Sequence, residues 1–258
     1  MTTKSPPSID PRLAHLYDEN GVFYPETDGM PMPDAETQGV IFRAVVTPLH
    51  HYVTSIRPDA HVAGNTFVYY EQGNPRRFVS PDCYAVFDVD VNHVFYRNTY
   101  RVWEMGKPPD FALEIASENT AAHDVRGKPA LYASIGIGEY WLYDATPDSR
   151  YYGLKLYGGY LHSGGYEPFE IHEDPDGLAW GHSPALGLDL CWDAGKLRFR
   201  IPATGEFLPD YDETLTALQE AETRATDAEA RRDDALSENE DLRAEIERLR
   251  AELDREQS

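Results

Sequence analysis

A short apolar run at residues 111–116 has the pattern of a strand that is buried on both faces, yet it contains Glu114. A charged side chain in such a strand is costly unless another group binds it. A second run at residues 83–87 is rich in aromatic and β-branched side chains and follows Asp82, so it predicts another strand. The two runs therefore predict two strands that are each associated with one carboxylate.

Downstream of these strands, the pattern predicts a helix over residues 123–136 and a third buried strand over residues 139–144. Lys128 lies in the segment that leads into this helix. Strand, strand, helix and strand in this order predict an α/β fold. With acids at the first two strands and a lysine near the helix, the arrangement is able to hold a divalent metal beside a phosphodiester.

The segments on either side predict further elements. Apolar side chains near one face predict a helix over residues 36–55, which ends before Pro58. Residues 61–70 alternate loosely and predict a single strand, and residues 100–106 predict a connecting loop. Two glycines at positions 158 and 159, between two alternating segments, predict the two-residue turn of a β-hairpin.

The chain is predicted to have three parts. Residues 1–20 are polar and contain prolines, so we expect a disordered N-terminal segment, and residues 21–210 are the predicted folded domain. Residues 211–258 contain no proline or glycine and predict a coiled coil. Asn239 at a core position favours a pair of parallel helices. The predicted a positions are Leu218, Ala225, Arg232, Asn239, Ile246 and Leu253, and the d positions are Ala221, Ala228, Ala235, Leu242 and Leu249. The sequence therefore predicts a homodimer, with a single charged helix as the alternative.

Composition limits the class of protein. The 258 residues are 41% hydrophobic, which is typical of a globular chain with one domain and an appendage. No apolar run approaches 18 residues and no leader pattern is present, so we expect neither a membrane span nor a secretory signal. Only Cys83 and Cys191 are present, too few for a disulfide scaffold, and the expected location is the cytoplasm.

The charge of the chain disagrees with a simple nucleic-acid-binding role. The formal net charge is −22, and residues 212–258 contribute 16 acidic side chains against seven arginines. The rest of the chain is still acidic, at −13. Proteins that bind phosphates usually carry a basic surface, because counterion release supplies much of the affinity. Either the acidic groups lie away from the cleft, or strong DNA binding is not the task of this chain alone.

The spacing of the acids, the lysine and an aromatic block resembles a known family. The shared features are Asp82, Glu114 within Pro-Asp-Phe-Ala-Leu-Glu-Ile-Ala-Ser, Asp124, Lys128, Tyr132, and Gly-Ile-Gly-Glu-Tyr-Trp-Leu-Tyr-Asp at residues 136–144. Over about residues 20–190 the sequence is similar to the Uma-two family of restriction-endonuclease-like proteins, in the PD-(D/E)XK nuclease superfamily. This resemblance implies a mixed sheet core with flanking helices and a metal-dependent nuclease.

The resemblance also implies roles for individual residues. Asp82 and Glu114 would ligate Mg²⁺ or Mn²⁺, with the backbone carbonyl of Ile115 as a further ligand. In the common superfamily pattern the lysine lies two residues after the acid, but here that residue is Ala116. Lys128 would reach the site from the following helix instead, although Pro129 directly after it biases Lys128 away from helical geometry.

Two functions remain open on the sequence. The first is a Mg²⁺-dependent nuclease that hydrolyses DNA phosphodiester bonds, with Asp82, Glu114 and Lys128 as its catalytic residues. The second is an inactive dimeric adaptor that keeps the nuclease fold and recruits partners through the coiled coil. The acidic charge and Pro129 favour the adaptor, whereas the intact set of two acids and a lysine favours the enzyme.

Overall fold

The computed structural model describes residues 11–27, 42–94, 98–116, 121–145 and 153–256. Contacts divide the chain into two compact units, Met1–Asp210 and Tyr211–Ser258. Within the described residues, no helix is both long enough and apolar enough to cross a membrane.

The first unit contains five α-helices and thirteen strands among its described residues. A 3-10 helix spans Pro11–Leu16 and a π-helical turn spans Phe42–Val46. The α-helices are α1 Thr47–Ile56, α2 Val91–Val94, α3 Val102–Met105, α4 Ala121–Arg126 and α5 Lys128–Ile135. The strands are β1 His61–Ala63, β2 Phe67–Tyr69, β3 Phe78–Val79, β4 Cys83–Val86, β5 Thr99–Arg101, β6 Phe111–Ile115, β7 Glu139–Tyr143, β8 Leu156–His162, β9 Gly165–Pro168, β10 His172–Glu173, β11 Ala179–Ser183, β12 Leu188–Asp193 and β13 Lys196–Arg200.

The main sheet has six strands in the order β1-β4-β6-β7-β8-β9. Only β6 and β7 run parallel, and the other neighbours are antiparallel, so the sheet is mixed. Strands β10 to β13 form a separate antiparallel sheet, and β3, β2 and β5 form a third one. The predicted α/β fold with a mixed sheet core and flanking helices is therefore confirmed.

The central strands are buried on both faces, as their apolar sequences predict. Alternate side chains of β6 enter different hydrophobic clusters, since Phe111 and Leu113 join one and Ala112 joins the other. The first cluster includes side chains of α1 and of the four-stranded sheet, and the second includes Tyr132 of α5. Glu114 has the same parity as Ala112, so it points towards the second cluster and α5.

The predicted strand at residues 61–70 is wrong, because the chain leaves the main sheet in its middle. Strands β1 and β2 belong to different sheets, and the chain turns between them at Gly64 and Asn65, where Asn65 has a φ of 54°. A side chain at Gly64 would collide with the backbone carbonyl of Asp82, so only glycine allows this close approach.

The predicted loop at residues 100–106 is also wrong, because it contains the end of β5 and all of α3. Arg101 of β5 is buried, and its guanidinium donates to the backbone carbonyls of His15 and Tyr17 and to Glu104. It also stacks on the ring of Tyr24 at 4.7 Å. These contacts hold residues 11–20, which we expected to be disordered; residues 1–10 lie outside the described part of the chain.

The predicted helix at residues 123–136 is divided into α4 and α5 at Gly127. Pro129 has no N–H to continue the hydrogen-bond ladder of α4, so a new helix begins at Lys128. For the helix predicted over 36–55, residues 36–41 lie outside the described part, and α1 ends at Ile56, one residue later than predicted.

The predicted hairpin turn at Gly158 and Gly159 is wrong, since both lie inside β8 and pair with β7. The observed two-residue turn is Ser163-Gly164, with φ values of 50° and 84°. Gly158 is required for packing instead, because a Cβ there would lie 2.5 Å from Cε3 of the Trp141 ring. A glycine pair inside a strand marks this close approach of an aromatic side chain.

Gly158→Ala is expected to lower the free energy of unfolding by about 1–3 kcal/mol, because the new methyl group overlaps the buried Trp141 ring. Gly165→Ala is the matched control, since a Cβ at that strand position meets no atom within 4 Å. Urea unfolding of both variants tests this. Equal stability of the two variants would contradict the packing argument.

The second unit is one helix, α6, which spans Tyr211–Glu256. Its large apolar side chains are exposed, including Leu218 at 53%, Leu242 at 56%, Ile246 at 49% and Leu249 at 49%. A helix of this length at about 1.5 Å per residue extends roughly 70 Å. The coiled coil predicted for this segment needs a second helix, so it stays a prediction.

Candidate active site

Strands β4 and β6 bring two carboxylates together. The strands are antiparallel with Cys83 opposite Leu113, so Asp82, just before β4, is opposite Glu114. The Oδ2 atom of Asp82 accepts a hydrogen bond of 2.7 Å from the backbone N–H of Ile115. Glu114 is only 1% exposed, whereas Asp82 is partly buried. The first two predicted site residues therefore lie at the same edge of the main sheet.

Lys128 completes this cluster from the first residue of α5. Its Nζ lies 2.8 Å from Oε2 of Glu114 and 2.7 Å from Oδ1 of Asp124, and 17% of its side chain is exposed. Asp124 therefore forms an ion pair with Lys128 across four residues of sequence. Pro129 does not prevent this reach, because proline is well tolerated in the first turn of a helix.

Tyr132 is a fifth member of the site, to which the family resemblance assigned no role. Its hydroxyl donates to Oε1 of Glu114, and its ring is fully buried. The ring packs edge-on against Tyr140 at 5.1 Å, and the Tyr140 hydroxyl donates to the backbone carbonyl of Asp124 at 2.8 Å. Asp124, Lys128 and Tyr132 are spaced by four residues, and this helical spacing is the signal that could have identified Tyr132.

Two carboxyl groups of the site, Glu114 and Asp82, are easier to protonate than ordinary ones because their pKa values are raised. Burial raises the pKa of Glu114 to about 8, and the charge of Asp82 adds to this, while Lys128 and Tyr132 oppose it. Burial also raises the pKa of Asp82, against the hydrogen bond from Ile115 and the charge of Lys128. Both pKa values are raised mainly by the same cause, because the two carboxyl groups are removed from water.

Lys128 remains charged in this environment. Burial disfavours its ammonium form, but Glu114 and Asp124 outweigh that effect and hold its pKa above the ordinary value. Burial and the neighbouring Glu114 likewise keep the pKa of Tyr132 raised, so its hydroxyl remains a donor. The site therefore combines three carboxyl groups with one ammonium group. Because the acidic groups outnumber the ammonium, the site can compensate the charge of another cation.

The donor set suits a hard cation. Carboxylate oxygens are the ligands that Mg²⁺ and Mn²⁺ prefer, and each oxygen of Glu114 retains a lone pair beside its contact with Tyr132 or Lys128. Across the described residues, no cluster of three or more His, Cys, Asp or Glu side chains could hold a metal. A metal here would accordingly rely on Asp82 and Glu114, with other oxygens completing its shell.

A second acid and lysine pair marks the opposite end of β6. Asp110 accepts from the backbone N–H of Phe87 at 2.8 Å and lies 2.8 Å from Nζ of Lys107. No other carboxylate contacts this pair among the residues described. The Asp110–Lys107 pair connects the start of β6 to the end of β4, so we assign it a structural role. Variants of this pair are controls for variants of the candidate site.

Two buried carboxylate-bearing strands, with a lysine from the next helix, are the arrangement of a restriction-endonuclease-like protein. The family model Uma2, described as "Putative restriction endonuclease", matches residues 20–191, which is more than half of the chain. The chain therefore belongs to the Uma2 family, as its sequence pattern predicts.

A solved structure gives a weaker similarity. The chain resembles a putative nuclease of the DUF820 family from Anabaena variabilis ATCC 29413, with 18% sequence identity and a TM-score of 0.42. The similarity covers 66% of this chain and 81% of that protein. No curated protein matches the sequence.

The raised pKa of Glu114 makes stability depend on pH. Its pKa of about 8 in the folded chain lies above the ordinary 4.5, so its proton contributes stability that is lost as pH rises through about 8. Glu114→Gln cannot lose this proton. From pH 5 to 8, wild-type protein should lose stability relative to the variant by at most about 1.4 kcal/mol per pH unit.

Urea unfolding at several pH values, with a metal chelator present, measures this difference. Asp110→Asn is the control variant, since the Asp110 pair lies at the other end of β6. A stability difference between wild type and Glu114→Gln that does not change with pH would show that Glu114 is already ionised at pH 5.

Proposed function

We propose that this protein is a metal-dependent nuclease that hydrolyses DNA phosphodiester bonds. The observation that carries the proposal is the ammonium of Lys128, 2.8 Å from Glu114, at the sheet edge where Asp82 also lies. Membership of a family described as "Putative restriction endonuclease" supports the reaction class. Asp82, Glu114 and Lys128 are its proposed catalytic residues.

The proposed metal is Mg²⁺ or Mn²⁺, held by Asp82 and Glu114 with the backbone carbonyl of Ile115 as a further ligand. When bound, such an ion polarises the phosphate and lowers the pKa of a coordinated water. The hydrogen bond from Ile115 N–H fixes the orientation of the Asp82 carboxylate, and Tyr132 does the same for Glu114. These contacts keep the two carboxylates in place before any cation arrives.

Lys128 is the group suited to the negative charge that develops on the phosphate oxygens. Preorganised cations in a partly buried site stabilise such charge more strongly than water does. Asp124 holds the Lys128 ammonium at 2.7 Å, so the lysine can release Glu114 and remain in the site. In this proposal Asp124 positions Lys128, and Lys128 contacts the substrate.

The adaptor is the second candidate function, and one observation favours it. The chain carries a formal charge of −22, which opposes the approach of a polyanion. An inactive protein with this fold would still hold Lys128 beside Glu114, because Lys128 and Tyr132 provide the polar partners of this buried carboxyl group. The geometry of the site therefore does not distinguish the nuclease from the adaptor, and a measurement of nucleic-acid cleavage does.

Glu114→Gln and Lys128→Met are each expected to reduce DNA cleavage in Mg²⁺ or Mn²⁺ by about 100-fold or more, since the first removes a proposed metal ligand and the second removes the ammonium that acts on the phosphate. Cleavage of double-stranded DNA, single-stranded DNA and RNA by purified protein measures this. Asp110→Asn and Lys107→Met are the matched controls, because they change the same kinds of group at the other end of β6.

The pattern of activities distinguishes the two candidate functions. Cleavage by wild type and both controls, but not by the two site variants, supports the nuclease. Equal cleavage by all five proteins would indicate a contaminating enzyme and contradict the proposal. No cleavage by folded wild-type protein under any of these conditions would favour the adaptor.

The chain is further proposed to form a homodimer through α6. The apolar side chains at the predicted core positions are about half exposed, and they repeat with the spacing of a coiled coil. The location in the cytoplasm stays a prediction from the sequence.

Leu242→Glu combined with Leu249→Glu is expected to convert a dimer into a monomer, because it places charges in the apolar contact between helices. Ala244→Glu combined with Ala251→Glu adds the same charge on the opposite side of α6 and should leave the dimer intact. Light scattering of the full chain measures the mass. A dimer that survives the leucine substitutions would place the interface elsewhere.

A further inference from the structure

The charged side chains that flank the apolar stripe of α6 follow a regular order. In the heptad assignment above, the g positions include Arg224, Glu238 and Glu245, and the e positions include Glu229, Arg243 and Arg250. In a parallel coiled coil, a residue at g meets the e residue five positions later in the partner helix. Each of these three g residues then meets a residue of opposite charge.

No such pair brings like charges together. Arg231 at g would meet Leu236 of a second copy, and Ala217 at g would meet Glu222, so neither pair is repulsive. The three attractive pairs occur twice in a symmetric dimer. Complementary e and g charges of this kind select the partner and the orientation of coiled coils.

The core positions favour the same orientation. A parallel, in-register pair brings Asn239 against Asn239, Ile246 against Ile246 and Leu249 against Leu249 of the other copy. Since the large apolar residues are concentrated in the C-terminal half, an antiparallel pair would place them against alanines at the other end of the stripe. Such a pair would bury less apolar surface and lose the Asn239 contact.

Two of these side chains have contacts within α6, since the guanidinium of Arg224 donates to the backbone carbonyl of Glu220 and the Glu245 carboxylate has one exposed partner. Glu245 pairs with Arg248 of the same helix at 2.7 Å, but the two side chains are 45% and 66% exposed. Exposed pairs of this kind contribute little stability and exchange partners readily. The Glu245 carboxylate can therefore turn towards a second helix.

We propose that α6 selects a second copy of this chain, parallel and in register, through the opposite charges of Arg224, Glu238 and Glu245 and the partner's Glu229, Arg243 and Arg250. This inference rests on the dimer proposed above and specifies how its two chains recognise each other. It does not depend on nuclease activity. Each dimer brings two candidate active sites into one molecule.

Charge exchange between two variants tests the pairing. Glu238→Arg/Glu245→Arg makes the g residues basic, and Arg243→Glu/Arg250→Glu makes the e residues acidic. Each variant alone would bring like charges together, so its dimer dissociation constant should rise by roughly 100-fold at low salt. A mixture of the two restores opposite charges at every pair and should form a one-to-one heterodimer.

Glu240→Arg/Glu247→Arg is the matched control, because it makes the same charge change at b positions that face away from the partner. Sedimentation at 50 and 500 mM salt measures the association, and exchange between differently labelled chains measures heterodimer formation. High salt should weaken the repulsion within each variant, since it screens exposed charges.

The outcomes separate this inference from the dimer itself. Wild type that remains monomeric would contradict both. A dimeric wild type with unchanged association of the g-position variant, or a mixture without preference for heterodimers, would contradict only the charge pairing. Ala228→Cys checks the orientation, because a disulfide between two copies forms readily in a parallel pair and not in an antiparallel one.

Discussion

The contact between Lys128 and Glu114 is the interaction on which the site depends. Glu114 is the next-to-last residue of a strand that is buried on both faces, where an uncompensated carboxylate would be costly. Its two partners, Lys128 and Tyr132, come from successive turns of α5, so one helix satisfies both of its oxygens. Asp124 then holds Lys128 from the helix before it.

The same contact connects the fold to the proposed chemistry. Removing an ionised partner from a buried pair leaves an isolated charge, which is far more costly than losing a surface pair. A second cation at Asp82 and Glu114 would favour the ionised form of both groups, whose pKa values are raised mainly by burial and less by neighbouring carboxylates. The acidity of the chain is unfavourable for a bound polyanion, and a metal and a lysine in the cleft would offset it locally.

The sequence predicted the parts of the structure that depend on neighbouring residues. The buried strands at 111–115 and 139–143 follow from apolar runs, whereas the reach of Lys128 into the site was implied only by the family resemblance. Contacts between distant segments were not predictable. The sequence predicts a turn at Gly158 because only the fold shows Trp141 packed against it, and only the fold places the Tyr132 hydroxyl beside Glu114.

A crystal of the full chain grown with Mn²⁺ tests the central claim most directly, because the anomalous signal of the metal locates it without reference to activity. The account predicts a peak within coordination distance of the carboxylates of Asp82 and Glu114, with the Lys128 ammonium beside it. The claim would be contradicted if crystals of the wild-type protein showed no anomalous peak at this sheet edge. The Mn²⁺ concentration in that test is one at which the protein cleaves nucleic acid.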